Sequence, residues 1–169
     1  MNRKGFTLIE LLVIIVILAI LVTLGSKGLR SARLSAKKAQ AQVEMQAIET
    51  AIKSYLSTYG KLPVTEMDQG ATDPEPNEAL SLEVIEILTA VNTNLNPRQI
   101  MFLDPQTASA KADNVWRDPW GIPYQIVLDT DYSGTFEYAD EIIRRKVGVV
   151  SIGLNSLSGA SVDILKSWE

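Results

Sequence analysis

The amino-terminal third of the chain can form one continuous helix. No proline occurs before Pro63, and the only glycines between residues 6 and 59 are Gly25 and Gly28. At 1.5 Å per residue, a helix over residues 6–59 would be roughly 80 Å long. A helix of that length cannot be buried in the single small domain that residues 60–169 can form. We therefore predict an α+β protein in which a long amino-terminal helix extends from a small antiparallel sheet domain.

The first part of this helix is strongly apolar. Residues 6–24 are mostly aliphatic, with one carboxylate, Glu10, among them. A spanning helix needs about 20 apolar residues, and no Ala-x-Ala cleavage site follows, so we predict that residues 6–24 form a transmembrane helix. An acid inside such a helix costs roughly 2.5 to 3.5 kcal/mol on insertion scales, which predicts a functional role with a cationic partner. The alternative is that Glu10 only reaches back to the cytoplasmic interface.

The second part of the helix, residues 25–59, is predicted to be an amphipathic stem. Its first half is rich in Ala, Ser, Lys and Gln, which is typical of an exposed stem that contacts other stems. Apolar residues recur in it at helical spacing, which predicts that its second half packs on the domain formed by residues 60–169. These apolar positions are Leu34, Val43, Ile48, Ile52, Tyr55, Leu56 and Tyr59.

Composition argues against catalysis and against nucleic-acid binding. Residues 1–38 carry seven basic side chains and one acid, whereas residues 39–169 carry nine basic side chains and nineteen acids, so no nucleic-acid partner is expected for the domain. The chain has no His and no Cys, which removes the commonest general base and any thiolate site. An anchored hydrolase would need paired acids such as Asp129 and Asp131 in a cleft. Nothing else in the sequence supports that alternative, and we predict that the protein is not an enzyme.

The domain has a readable order of elements. Gly60 and Pro63 predict the end of the long helix, and the apolar residues of 80–88 predict a second, short helix. The sequence Asp-Thr-Asp-Tyr-Ser-Gly at residues 129–134 favours a turn, which would join the first two predicted strands as a hairpin. Strands are predicted over residues 123–128, 136–143 and 146–152.

The residues at the start of the apolar helix form a specific motif. Residues 4–12 read Lys-Gly-Phe-Thr-Leu-Ile-Glu-Leu-Leu, which places Gly5, Phe6 and Glu10 directly ahead of the aliphatic run. This stretch resembles the processing site of class III signal peptides, the prepilin leaders. The resemblance implies that a prepilin peptidase removes residues 1–5 by cutting between Gly5 and Phe6, and that the new amino-terminal Phe6 is N-methylated. It also implies that Glu10 compensates the amine of a neighbouring subunit during assembly.

The resemblance also implies a location. A protein of this family is a single-pass protein of the bacterial inner membrane, with a cytoplasmic amino terminus and a carboxy-terminal domain in the periplasm or in a filament. Arg3 and Lys4 agree with that orientation. The five basic residues that follow the apolar segment favour the opposite one by the positive-inside rule. They are Lys27, Arg30, Arg33, Lys37 and Lys38.

Two segments of the domain carry a second resemblance. Residues 59–63 read Tyr-Gly-Lys-Leu-Pro, and residues 118–124 read Asp-Pro-Trp-Gly-Ile-Pro-Tyr. Both resemble the major pseudopilins of type II secretion systems. In the second segment the prolines and the glycine would fix a turn into a strand, and Trp120 and Tyr124 would supply buried surface.

This resemblance implies a pilin-like fold and a structural role in the type II secretion pseudopilus, a filament that drives proteins across the outer membrane. The implied partners are further copies of the chain bound through the amino-terminal helix, prepilin peptidase, minor pseudopilins, an inner-membrane platform protein and an assembly ATPase. The missing cysteines favour a pseudopilin over a large type IV pilin with a disulfide-bounded region. The alternatives are a type IV pilus subunit for adhesion, motility or DNA uptake, and an anchored module that binds calcium or sugar.

Calcium is the candidate cofactor. The segment with Asn155 and Asp163 resembles the carboxy-terminal loop that commonly binds calcium in secretion pseudopilins, but one carboxylate is a poor ligand set for an ion that takes six to eight oxygens. Asp129, Asp131 and Asp140 form an alternative set, because they match acidic positions of an EF-hand-like loop. The strand-like flanks of that loop favour a solvated hairpin turn. We therefore expect weak calcium binding or none.

Overall fold

The computed structural model describes residues 6–65, 70, 73–74, 76–104, 115–153 and 164–169, and of residues 22–30 it describes the backbone alone. The chain divides into two compact units, Met1–Lys37 and Lys38–Glu169. The described part contains two helices and two small antiparallel sheets, so the predicted α+β class is confirmed.

Helix α1 spans Leu8–Tyr59, a run of 52 residues, close to the predicted range of 6–59. It ends where Gly60 takes up a left-handed backbone conformation, with φ of 73°. The Gly60 amide donates a hydrogen bond of 2.8 Å to the Leu56 carbonyl. Glycine adopts this conformation without a steric penalty, which explains why the helix ends there.

The second unit packs its core against one face of α1. Ala41, Met45, Ile48, Ile52 and Tyr55 are buried on this face. The residues that they pack with come from the short helix, from the strands and from the loops. The predicted packing of the second half of the stem is therefore confirmed for this face.

Two positions of the predicted apolar stripe are exposed. Val43 is 66% exposed and Leu34 is 38% exposed. Val43 precedes Ile48 by five residues, which places it about 140° away around the helix, so the prediction that it belongs to the stripe was wrong. The buried acids Glu44 and Glu49 lie instead at the margins of the packed face.

Helix α2 spans Glu78–Leu88, in agreement with the predicted short helix. Asn77 caps its start, because the Asn77 Oδ1 atom accepts a hydrogen bond of 2.8 Å from the Leu80 amide. The Ser81 hydroxyl of α2 accepts a hydrogen bond of 3.1 Å from the Ile126 amide, which joins this helix to the first strand.

The larger sheet has three antiparallel strands, β1 Gln125–Leu128, β4 Val147–Ser151 and β5 Leu165–Lys166, paired in that order. Ile126 pairs with Val149, and Val150 pairs with Lys166. The sequence predicted the first two of these strands.

Both faces of this sheet are covered. Ile126 and Leu128 belong to the main core with the two helices, whereas Val127 packs in a second cluster with Phe136 and Val150. Trp168 closes that second cluster, with its ring centroid 5.4 Å from that of Phe136. A strand buried on both faces needs apolar residues at successive positions, which explains the Val-rich run of β4.

The smaller sheet corrects two predictions. Residues 136–143 were predicted as one strand, but they form a hairpin of β2 Phe136–Tyr138 and β3 Glu141–Ile143. Ala139 and Asp140 form its two-residue turn, with φ of 52° and 64°. Such turns usually contain Asn-Gly or Asp-Gly, so Ala-Asp gave no signal in the sequence. Because β1 pairs with β4 and β2 with β3, the predicted hairpin of the first two strands was wrong.

Candidate functional site

Glu10 is the acid in the first turn of α1, and it forms reciprocal hydrogen bonds with Thr7 at the start of the helix. The Thr7 amide and the Thr7 hydroxyl both donate to Glu10 Oε2, at 2.8 and 2.7 Å. The Glu10 amide in turn donates to Thr7 Oγ1 at 3.3 Å. This is a capping box, which satisfies amides that the first turn of a helix leaves without partners. Glu10 was predicted to act in assembly, but the Thr-x-x-Glu spacing of Thr7 and Glu10, which signals the cap, was overlooked.

The side chains around this cap are apolar and exposed. Phe6, Ile9, Val13 and Ile14 surround Glu10 on one side of the helix. Phe6 is 73% exposed, and every side chain of residues 6–21 is exposed. A carboxylate among uncovered aliphatic groups is suited to contact a cation at an apolar interface. Gly5, on the other side of the predicted cleavage point, lies outside the described residues.

Among the residues that the structure describes, none of the helices has an apolar stretch sufficient to traverse a bilayer.

The second motif, residues 118–124, is organised by a buried carboxylate. Asp118 Oδ1 accepts hydrogen bonds from the Trp120 and Ile122 amides, at 3.0 and 2.9 Å. Asp118 Oδ2 accepts from the Ser151 hydroxyl at 2.7 Å and from the Gly153 amide at 3.2 Å. Asp118 thus ties the turn to the end of β4. Roles were predicted for the prolines, the glycine and the aromatic residues of this motif but not for Asp118, although Asp is a frequent first residue of turns.

The aromatic residues of the motif differ in burial. Tyr124 is buried as predicted, but Trp120 is only half-buried, so its predicted burial was wrong. Trp116, which the sequence analysis did not name, is the buried tryptophan of this region. It precedes the turn, and its carbonyl accepts a hydrogen bond of 3.0 Å from the Tyr124 amide.

Tyr124 also connects the turn to α1. Its hydroxyl donates a hydrogen bond of 2.6 Å to Glu44 Oε2, and the Gln40 amide nitrogen donates to Glu44 Oε1 at 2.9 Å. Burial, and then the Glu44 carboxylate, raise the pKa of Tyr124 far above its usual range. The phenol therefore remains a donor, and the pair joins stem and domain within the second unit.

Three carboxylates meet beside the β1–β2 connection. Asp73, Asp129 and Asp131 each offer an oxygen, and these oxygens lie within 4.8 Å of one another. Burial raises the pKa of Asp129, whereas the amide and hydroxyl of Ser133 lower the pKa of Asp131. Asp73 was not predicted, because it lies in a loop 57 residues before Thr130, whose amide donates to it.

The predicted metal ligands are only partly brought together. Asp129 and Asp131 are neighbours, whereas Asp140 is exposed in the β2–β3 turn and is not part of the three-carboxylate group. Asn155 and Asp163 lie outside the described residues. Three carboxylates supply fewer than the six to eight oxygens that calcium prefers, and backbone amides already bind them. Calcium binding stays a prediction.

Comparison with protein families identifies the first of these regions. A model of the prokaryotic N-terminal methylation motif matches residues 1–26, which include Gly5, Phe6 and Glu10. This match supports a type IV pilin-like protein that is processed by prepilin peptidase and assembles into a filament. Comparisons with curated proteins and with solved structures gave no match.

Proposed function

We propose that this chain is a structural subunit of a type II secretion pseudopilus. The methylation motif at residues 1–26, directly ahead of and within a helix of 52 residues, is the observation that supports a filament subunit. The turn at residues 118–124, held by Asp118, supports a pseudopilin more than another pilin-like subunit. The chain works mechanically in this proposal and catalyses no reaction.

Processing would prepare the amino terminus for assembly. Prepilin peptidase cuts after Gly5, and Phe6 becomes the methylated amino-terminal residue. Phe6 precedes the cap residue Thr7, so its positive amine lies close to the Glu10 carboxylate along the chain. The amine of a neighbouring subunit is the second cation that Glu10 can contact, and an ion pair in apolar surroundings is selective because an unpaired charge there is costly.

Assembly would cover the exposed apolar side chains of α1. Residues 6–21 lie uncovered on this chain, and their burial between neighbouring copies removes apolar surface from solvent or lipid. In the proposed sequence of events the chain is anchored in the inner membrane with a cytoplasmic amino terminus. A platform protein and an assembly ATPase then add copies to the filament, and minor pseudopilins contribute further subunits.

A type IV pilus subunit is the second candidate function, because the methylation motif is common to both kinds of filament. Deletion of the chain distinguishes the two candidate functions. If the pseudopilus proposal holds, deletion of this chain stops the release of folded proteins into the medium. If surface pili disappear while protein release continues, the chain belongs to a pilus.

The proposal is tested at residues 5, 6 and 10. Mass spectrometry of the membrane-extracted chain should find Phe6 as the methylated first residue, and Gly5→Ala should largely preserve cleavage. Glu10→Leu and Glu10→Ala should leave cleavage intact and abolish filaments, because the partner amine is left without its carboxylate. Ile9→Leu is the matched control, since it changes a neighbouring side chain without changing charge. An intact Met1 terminus, or normal filaments from both Glu10 variants, would contradict the proposal.

A further inference from the structure

We group four basic residues of the second unit as a basic patch, three of them because they line one surface cleft and Arg144 because it is exposed next to Arg145 in the chain. The patch consists of Lys53 on α1 and of Arg144, Arg145 and Lys146 between β3 and β4. Lys53, Arg145 and Lys146 line one surface cleft beside Leu56. All four residues are exposed. The patch is therefore available to a partner.

Little of this charge is neutralised by the acids that the structure describes. Glu49 is the acid of the cleft, and its Oε1 atom accepts a hydrogen bond of 2.6 Å from Lys53 Nζ. Arg145 Nη1 lies 3.6 Å from the same oxygen. Arg144 and Lys146 form no ion pair with any residue that the structure describes. The patch thus combines four positive charges with one negative charge.

The surrounding domain has the opposite charge. Residues 39–169 contain nine basic side chains and nineteen acids, and the patch holds four of those nine. A nucleic acid or an anionic membrane that approached the patch would also meet this excess of acids. A second copy of the domain, in contrast, carries exposed acids outside the patch, among them Glu137, Asp140 and Glu141, and such acids attract the patch.

The backbone that carries the patch is fixed by hydrogen bonds. Arg145 donates its amide to the Ile143 carbonyl at 3.0 Å, and the Lys146 carbonyl accepts from the Asp129 amide at 3.0 Å. The next residue, Val147, pairs with Leu128 in the sheet. Only side chains would need to be ordered when a partner binds, which lowers the entropic cost of binding.

We propose that the basic patch of one copy binds an acidic surface of the next copy in the filament. This inference rests on the proposed function, because a filament needs a contact between two different surfaces of the same chain. A positive patch on an otherwise negative domain supplies two such surfaces. Single exposed ion pairs contribute little, so the contact depends on several of them together and weakens with salt.

The test uses the full-length chain with Arg144→Glu and Lys146→Glu combined. We expect normal cleavage after Gly5, but association of differently tagged chains in mild detergent should fall about tenfold, because attraction becomes repulsion at two sites. The matched control combines Arg144→Lys and Lys146→Arg, which keeps both charges and should keep association. Wild-type association should decrease as salt is added.

Mixing wild-type and charge-reversed chains tests whether the two surfaces differ. A charge-reversed chain keeps its acidic surface, so it should bind the patch of a wild-type chain and stop further growth. Co-expression should therefore shorten filaments. Unchanged filament length would contradict a contact between two different surfaces.

Other outcomes separate the inference from the function on which it rests. If wild-type filaments form and the charge-reversed chain assembles equally well, the patch contact is wrong and the proposed function stands. If wild-type chains are neither cleaved nor assembled, the proposed function is wrong. Loss of association in the charge-conserving control would indicate packing instead of charge and would overturn the inference. So would patch-dependent binding of a DNA duplex, or of vesicles containing phosphatidylglycerol, in place of self-association.

Discussion

The two units of the chain differ in the burial of their large aliphatic side chains. In residues 6–21 every side chain is exposed, including the large aliphatic ones. In the second unit, Ile48 and Ile52 of the same helix are fully buried, and the strands bury residues on both faces of the sheet. The domain buries most of its large apolar side chains against one another, whereas the amino-terminal segment leaves its apolar side chains exposed to a partner.

The largest expected effect comes from one substitution made in both regions. Ile52→Ala should lower the free energy of unfolding of the domain by about 2 to 5 kcal/mol, because it leaves a cavity in the core. Ile14→Ala changes the same side chain where it is 44% exposed, and it should leave domain unfolding unchanged. Denaturant unfolding of the full-length chain in detergent, followed by tryptophan fluorescence, measures both. Equal losses would contradict the contrast between the regions.

The second prediction concerns the buried carboxylate of the domain. Asp118→Asn should lower the free energy of unfolding by about 2 to 3 kcal/mol, since an amide cannot accept from donors on both of its side-chain atoms. Ser151→Ala removes one donor alone and should cost about 1 kcal/mol. Glu137→Gln, at an exposed position of β2, is the control. An Asp118→Asn variant as stable as the wild type would show that this carboxylate does not hold the turn.

Much of this architecture was predictable because its signals are local. The long helix follows from the absence of proline, its end from Gly60, and β4 from a run of Val and Ile. The capping box of Thr7 and Glu10 was equally local and was overlooked. Asp73 and Asp118 act on residues 57 and 35 positions away, and no pattern in a single sequence reports such contacts.

The role of Gly148 also depends on contacts that the sequence does not report. A Cβ atom added there would lie 2.5 Å from a ring carbon of Trp168 and 2.7 Å from one of Phe136. From the sequence alone, Gly148 is a glycine inside a predicted strand, and such a glycine ordinarily weakens the strand. The fold explains this glycine, because Phe136 and Trp168 from two other segments pack where its side chain would lie.

A smaller effect is expected at the three-carboxylate group. Burial raises the folded-state pKa of Asp129, so its contribution to stability is present below the unfolded pKa and is lost as pH rises through the folded value. Asp131 contributes in the opposite sense, because its pKa is lowered. Asp129→Asn should therefore stabilise the domain by up to about 1 kcal/mol near neutral pH and reduce the loss of stability above pH 4.

Unfolding measured across the acidic range tests this expectation. Asp140→Asn is the matched control, because Asp140 is exposed in the β2–β3 turn and Asn tolerates its left-handed backbone. The stabilisation should be confined to the Asp129 variant. If Asp129→Asn instead makes the domain less stable at neutral pH, the ionised carboxylate stabilises the folded state, as it would if it bound a cation.

The smallest expected effect lies at the cap of α1, and it tests how far the amino-terminal segment depends on contacts within the chain. Thr7→Val removes the hydroxyl that bonds with Glu10, which should weaken the first turn by about 1 kcal/mol. Thr7→Ser keeps the hydroxyl and should retain the turn. Amide hydrogen exchange of residues 8–11 in detergent should therefore accelerate in the Val variant alone, while domain unfolding stays unchanged. If exchange is the same in both variants, Glu10 is not held by its own cap, and its carboxylate is free for a neighbouring chain.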